Sequence, residues 1–267
     1  MKILVTGGTG TLGQLVVPRL RDVGHSVRVL TRQSHAADEG IEYVNGDLTT
    51  GRGIEAAISG TEIIVHLAGT RKGDDDKARH LVAAALRTGT PHLVYISVVG
   101  AERVPVSGPI DRAMFGYFES KLATERVVAD SGLPWTTLRA TQFHQSMLAL
   151  VQQMIKLPVV PVPADWRFQP VDAAEVADRL VDLALGPPSG LVPDIAGPRG
   201  YEMAELVRSY LRVHGKHRLI LPVWTPGKAA RAVRAGANLA PNRAVGRRTW
   251  EDFLAGRIIT PGSASRG

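Results

Sequence analysis

The segment Lys2-Ile3-Leu4-Val5-Thr6-Gly7-Gly8-Thr9-Gly10-Thr11-Leu12-Gly13 has the residue types and spacing to hold a diphosphate. Gly8, Gly10 and Gly13 satisfy G-x-G-x-x-G, and Gly7, Gly10 and Gly13 give the overlapping G-x-x-G-x-x-G. One glycine turns the chain sharply out of a strand. Another lets the backbone approach the phosphates, and the last lets a helix pack close to that strand. The helix that follows aims its free N–H groups and the positive end of its dipole at the anion. A five-residue apolar strand precedes the motif and an amphipathic helix follows it, which is the context the motif requires. Gly7, Gly10, Thr11, Leu12 and Gly13 are therefore expected to bind a pyrophosphate.

The end of the second candidate strand, Val27-Arg28-Val29-Leu30-Thr31-Arg32, bears on which dinucleotide this is. A site specific for NAD places Asp or Glu there to accept from the ribose hydroxyls, and such a carboxylate repels the extra phosphate of NADP. Here Thr31 and Arg32 supply a hydroxyl and a fixed cation, both suited to a phosphate. The expected cofactor is NADP, with NAD as the alternative. Two further loops fall at the carboxyl edge of the strands, where such ligands bind. In Gly46-Asp47-Leu48, Asp47 can accept from the adenine amino group and Leu48 can cover the ring. In His66-Leu67-Ala68-Gly69, Leu67, Ala68 and Gly69 are expected against the cofactor.

These residues need a parallel sheet to position them, and the chain has its pattern. Candidate strands at Lys2–Thr6, Ser26–Thr31, Glu42–Asn45, Glu62–His66, His92–Ser97 and Trp135–Arg139 alternate with amphipathic helices at Leu12–Val23, Gly53–Ile58, Asp76–Arg87 and Phe115–Ala129. The strands are runs of Val, Ile and Leu, as strands covered on both faces are, and each helix runs into a glycine. The fold class is α/β, a Rossmann doubly wound parallel sheet with a small C-terminal α/β lobe. Residues 1–140 read as the NAD(P)-binding domain, 141–260 as a substrate lobe interleaved with it, and 261–267 as a frayed tail. In the lobe, Leu157-Pro158-Val159-Val160-Pro161-Val162-Pro163 excludes a regular helix and fits an extended loop or edge strand. Helices are expected at Ala173–Leu185, Met203–Val213 and Gly227–Ala237.

Composition bounds the function classes. The 267 residues are 44% apolar and contain no cysteine, which excludes disulfide scaffolds, thiolate metal sites and cysteine nucleophiles, and fits a reducing, cytoplasmic location. The first residues read as a strand rather than as a signal segment, and no apolar run approaches the length that spans a bilayer. The net charge is +7, yet its arginines are scattered apart from a C-terminal cluster at Arg243, Arg247 and Arg248, and no tract alternates basic with aromatic residues, so no nucleic acid or membrane is expected as partner. Gly73-Asp74-Asp75-Asp76 lacks the later ligands of a calcium loop and reads as a helix N-cap with an acidic first turn, so no metal site is expected.

Together these segments resemble the short-chain dehydrogenase/reductase superfamily, and within it the extended and atypical NmrA-like members. The resemblance rests on Thr6–Gly13, Gly46-Asp47-Leu48, His66-Leu67-Ala68-Gly69, Tyr95-Ile96-Ser97-Val98-Val99-Gly100 and Tyr117-Phe118-Glu119-Ser120-Lys121. It continues through Ser131–Arg139 and Gln169–Ala177, spanning roughly residues 1 to 185, and is loose beyond Gly186. It implies a nicotinamide cofactor, a catalytic set of Ser97, Tyr117 and Lys121, and contact of Lys121 with the nicotinamide ribose. Bare chemistry is consistent with that set. Tyr117 and Lys121 lie four apart on one helix face, and an ammonium beside a phenol lowers the phenol's pKa. Ser97, at the end of the fifth strand, can hydrogen-bond the same substrate oxygen. Phe143, His144, Met147, Trp166 and Phe168 are candidates for an apolar substrate wall.

Two readings follow. One is an NADP-dependent oxidoreductase acting on a small carbonyl compound or quinone. The other is a regulator that binds NADP(H) without consuming it and engages a protein partner. A sugar-nucleotide epimerase, which shares the Tyr/Lys pair, is a third reading disfavoured by the small C-terminal portion.

Overall fold

The computed structural model describes residues 1–33, 35, 36, 40–70 and 73–258; the expected tail at 261–267 lies outside them. In chain order the strands are β1 (Lys2–Thr6), β2 (Ser26–Thr31), β3 (Ile41–Asn45), β4 (Ile63–His66), β5 (His92–Val98), β6 (Trp135–Ala140), β7 (Val159–Pro163), β8 (Arg167–Phe168), β9 (Gly190–Leu191), β10 (Tyr201–Glu202) and β11 (Leu219–Val223). The α-helices are α1 (Gly13–Asp22), α2 (Ile54–Ile58), α3 (Asp74–Thr88), α4 (Pro109–Ala129), α5 (His144–Met154), α6 (Ala173–Leu185), α7 (Met203–Val213), α8 (Lys228–Arg234) and α9 (Trp250–Ile258).

Seven strands form one sheet in the order β3-β2-β1-β4-β5-β6-β9, and every pairing in it is parallel. The order reverses between β1 and β4. A crevice therefore opens at the carboxyl ends of those strands, where doubly wound sheets bind ligands. Alternation along β1 sorts the layers: Ile3 and Val5 join Val16, Val17 and Leu20 of α1 and Val176, Ala177 and Leu180 of α6. Leu4 points the other way, to Ile54 and Ile58 of α2 and Leu81, Ala84 and Ala85 of α3. Burial of both faces explains the unbroken apolar strands.

The later part of the chain contributes to this sheet as well as to a core of its own. Helix α6 covers one face and β9 extends the edge beside β6. A second core gathers Met147, Leu148 and Val151 of α5, Leu206, Val207 and Tyr210 of α7, and Trp250, Phe253 and Leu254 of α9. The proline-rich stretch is the edge strand β7, paired in parallel with β11. The C-terminal basic cluster is partly structural. Arg248 Nη1 donates to Asp172 at 2.9 Å, and the backbone N–H groups of Arg247 and Arg248 donate to Glu175, fixing the approach to α9.

His144 sits fully buried in this second core, its ring 5.0 Å from Phe253 and 6.2 Å from Trp250, and neither ring nitrogen has a partner among the described residues. Burial pushes its pKa down to about 4, with Asp172 opposing. A histidine depressed on folding contributes stability that is complete above its unfolded pKa, near 6.5, and lost as pH falls toward the folded value. The loss runs at up to about 1.4 kcal/mol per pH unit for this one group. His144→Phe should therefore flatten the decline in unfolding free energy between pH 6.5 and 4.5, measured by urea titration at several pH values. An unchanged slope would contradict the assignment.

Candidate active site

A cavity of about 900 Å³ occupies the crevice. Its floor is the β1–α1 turn. Gly7, Gly10, Thr11, Leu12 and Gly13 all line it. Two of these glycines are dictated by geometry. Gly7 has φ +71, and a Cβ there would lie 2.6 Å from the amide nitrogen of Ala68. At Gly13 a Cβ would lie 2.2 Å from the Gly7 carbonyl oxygen, so α1 can start this close to the strand exit only with glycine. No side chain caps α1 and none of its first-turn residues is acidic, so its amide end is left for an anion. A pyrophosphate fits this cradle.

Opposite the turn, β5 and α4 bring the reactive side chains. Ser97, near the end of β5, is buried with its Oγ unpartnered among the described residues, and it lines the cavity. A buried hydroxyl costs free energy until it finds a hydrogen bond, so a substrate oxygen is a natural partner. Lys121 is only 4% exposed. Its Nζ donates to the Ile96 carbonyl at 3.3 Å and lies over the rings of Tyr95 (5.0 Å) and Tyr117 (5.7 Å). Burial lowers its pKa to about 8, against the raising influence of Asp74 and Glu125. Tyr117 is 40% exposed, its ring opening onto the cavity.

The expected lowering of the Tyr117 pKa is reversed in the structure. Desolvation of the phenol by the groups packed around it, and then the charge of Asp74, push it up to about 12. Lys121 meets the face of the ring, where its charge is held by the π-cloud, and its own burial weakens it as an ammonium. At neutral pH Tyr117 is thus a neutral phenol, and the raised value makes it a weaker acid than a free tyrosine.

Asp74 is the residue that sequence reasoning assigns to helix capping and that the structure places at the site. It is buried and accepts from the Thr70 N–H at 2.7 Å, the Thr70 hydroxyl at 2.9 Å and Lys77 Nζ at 3.3 Å. A Cβ on Gly69 would come within 3.1 Å of Lys121 Nζ and 3.3 Å of Asp74 Oδ2, so glycine there keeps room between the two charges. His66 lies fully buried behind this group, its Nδ1 2.7 Å from the Thr6 hydroxyl and its ring stacked on Tyr95. Burial, and then Lys121, push its pKa down to about 3, so it is neutral.

Leu67 and Gly69 line the cavity with the turn, while Ala68 instead backs Gly7. Four expected cofactor residues stand away from the cavity, at the ends of β2 and β3. Thr31 is buried, its hydroxyl 3.3 Å from the Gln33 carbonyl and 3.1 Å from His35 Nε2. Arg32 is exposed. Asp47 accepts from the Thr49 N–H at 2.9 Å, which holds its carboxyl below the ordinary range, with Arg32 adding to the effect. Leu48 is packed in the core beneath α2 and α3 rather than standing free.

Of the apolar candidates, Phe143 and Met147 line the cavity. His144 faces α9, Trp166 packs on Phe115 at 5.1 Å, and Phe168 packs between the second core and the cluster of Phe115 and Trp166 with Val233 of α8. The sequence did not point to Arg112, Met114 or Gln142, which complete the wall. Gln142 Oε1 is buried without a partner among the described residues. Proline at the first position of α4, after Gly108, was the signal that this helix begins early enough to deliver Arg112 and Met114.

Fold and crevice define a dinucleotide-binding α/β protein. The family model described as NAD(P)H-binding matches residues 7–184, and the chain belongs to that family. A reductase of (4-alkanoyl-5-oxo-2,5-dihydrofuran-3-yl)methyl phosphate from Streptomyces griseus is 29% identical over 219 residues, covering 80% of this chain and 74% of that one. An uncharacterised Mycobacterium tuberculosis protein is 28% identical over 193 residues, 69% of this chain, and the match spans only 20% of that protein's length. The fold is similar to that of the NADPH-dependent quinone oxidoreductase of Escherichia coli complexed with NADPH. There the TM-score is 0.80 at 18% identity, with 96% of this chain and 99% of that chain covered. No helix among the described residues is long and apolar enough to cross a membrane.

Proposed function

We propose that the protein is an NADPH-dependent oxidoreductase that reduces a small, fairly apolar carbonyl compound or quinone. The observation that carries this reading is that one cavity joins the glycine cradle to Ser97, Tyr117 and Lys121. When bound, the cofactor supplies the hydride. Tyr117, protonated at neutral pH, donates its phenolic proton to the oxygen that gains charge, and the Ser97 hydroxyl donates a hydrogen bond to the same oxygen. Lys121, lining the same cavity, would supply positive charge to that oxygen and to the ribose. Ile96, Met114, Phe143 and Met147 give the remainder of the wall its apolar character. The reductase named among the relatives supports the same direction of chemistry.

Preference for NADPH rests on Arg32, which stands exposed at the end of β2 where an acidic residue would repel the extra phosphate. Loss of NADPH absorbance should be followed across a panel of quinones, aldehydes and ketones. Turnover with at least one of them is expected. Binding of NADPH with no consumption across the panel would overturn the enzyme reading and leave the regulatory one.

Because Lys121 titrates near 8, kcat/KM should fall as pH rises through about that value. Asp74→Asn removes a charge that favours the ammonium, so the alkaline limb of the profile should move to lower pH. A pH–rate profile unchanged by Asp74→Asn would contradict this electrostatic role.

A further inference from the structure

The strands β7 and β11 form a two-stranded parallel ribbon outside the main sheet. Its inner residues Val160, Val162 and Ile220 pack on the second core. Its outer face carries Val159 opposite Leu219 and Pro161 opposite Leu221, with Val223 beyond them, all exposed. Leu219 is 67% and Leu221 51% exposed, and Trp224, immediately after β11, is 65% exposed. A contiguous apolar face of this kind marks an interaction surface, since scattered single residues are the norm on soluble proteins.

Basic side chains predominate around it, the acidic exceptions being the exposed Asp165 just after β7 and Asp111 beside Gly227. Lys156 and Arg218 flank one end of the ribbon around a shallow depression shared with His217 and Leu219. At the other end the Arg234 guanidinium lies over the Trp224 ring at 5.2 Å. Residues 206–235 contain seven Lys or Arg and no Asp or Glu, as many positive charges as the net excess of the whole chain, and residues 148–164 are also free of acidic side chains. An aliphatic centre, a boundary tryptophan and a cationic rim are what an interfacial protein presents to acidic headgroups.

We propose that this face docks the protein onto an anionic lipid bilayer, the aliphatic residues and Trp224 entering the headgroup boundary and the basic rim resting on acidic headgroups. Charge decides against a second copy of the chain, because pairing of two such faces would oppose like charges. The aliphatic centre offers little for nucleic acid, which needs cations along the backbone path and rings on which bases stack. The proposal is independent of the oxidoreductase reading and departs from the sequence expectation of no membrane partner.

The test is flotation of the full chain with vesicles of phosphatidylcholine containing phosphatidylglycerol, against vesicles of phosphatidylcholine alone. Recovery with the anionic vesicles is expected, falling as salt is raised, together with a blue shift of Trp224 fluorescence that is absent from Trp224→Phe. Neutralising Lys156, Lys216 or Arg218 to Ala should weaken partition about fivefold each. Leu221→Asp with Trp224→Ser should weaken it at least tenfold. These side chains are exposed, and circular dichroism melts check that the variants keep the fold. Equal recovery on both vesicle types, no recovery at low salt, or unaltered partition of the variants would overturn the proposal. So would a dimer, seen by sedimentation, that these substitutions dissociate while lipid binding is absent.

Discussion

On the proposed mechanism, Tyr117→Phe should lower kcat by about two to four orders of magnitude while the affinity for NADPH stays within a few-fold of the parent. The range is that of losing a positioned proton donor. The ring stays in place to receive the Lys121 ammonium on its face, so the cavity keeps its shape and the site loses only its acid. Single-turnover measurement with saturating cofactor separates the two quantities. Equal rates for parent and variant would remove Tyr117 from the mechanism, and a matched loss of cofactor affinity would assign it to binding instead.

Gly13→Val and Gly10→Val should fail in different ways. At position 13 the added Cβ would sit 2.2 Å from the Gly7 carbonyl oxygen and 2.4 Å from Gly8 Cα, both backbone atoms that cannot swing aside. Overpacking of that kind costs about 1–3 kcal/mol, a fall in Tm of several degrees for a chain of this size, and cofactor binding goes with it. At position 10 the nearest atom to an added Cβ is the Gly7 oxygen at 3.3 Å, and the residue lines the cavity. Gly10→Val should keep nearly the parental Tm without ligand and lose most of the rise that NADPH produces, since only binding to the native state raises it. Thermal melts of both variants with and without NADPH check this; a Gly10→Val protein still stabilised by NADPH would place the phosphates elsewhere.

Much of this architecture is legible in the residues because the β/α half follows local rules. Lys2–Thr6, Ser26–Thr31 and Ala173–Leu185 are bounded by turn residues and caps that leave one choice of ends, including the Asp172 side chain accepting from the Ala174 N–H at the start of α6. Helix α5 is the opposite case. Phe143 precedes it without a side-chain cap, and it has neither acidic residues in its first turn nor basic ones in its last, so nothing local announces it. Its ends are set by packing against α7 and α9.

At the site, the glycine turn and the Tyr117/Lys121 spacing are visible because a motif and a helical repeat encode them. What depends on burial is not. Asp74 reads as one of three acids opening a helix, and only the fold brings it to Gly69 and Lys121. The Tyr117 shift likewise reverses its sequence expectation, because spacing along a helix reveals neither the desolvation of the phenol nor the charge of Asp74 near it. Nor does the sequence show the local turn in which the Thr31 hydroxyl meets the backbone of Gln33.

Calorimetric titration of NADPH and NADH into the purified full chain addresses the central claim most directly, that the uncapped start of α1 and its glycines cradle a dinucleotide. Saturable one-to-one binding is expected, tighter for NADPH, with Arg32→Glu narrowing or reversing the difference and Gly10→Val removing the heat. No binding of either nucleotide, or binding indifferent to Gly10→Val, would contradict the account.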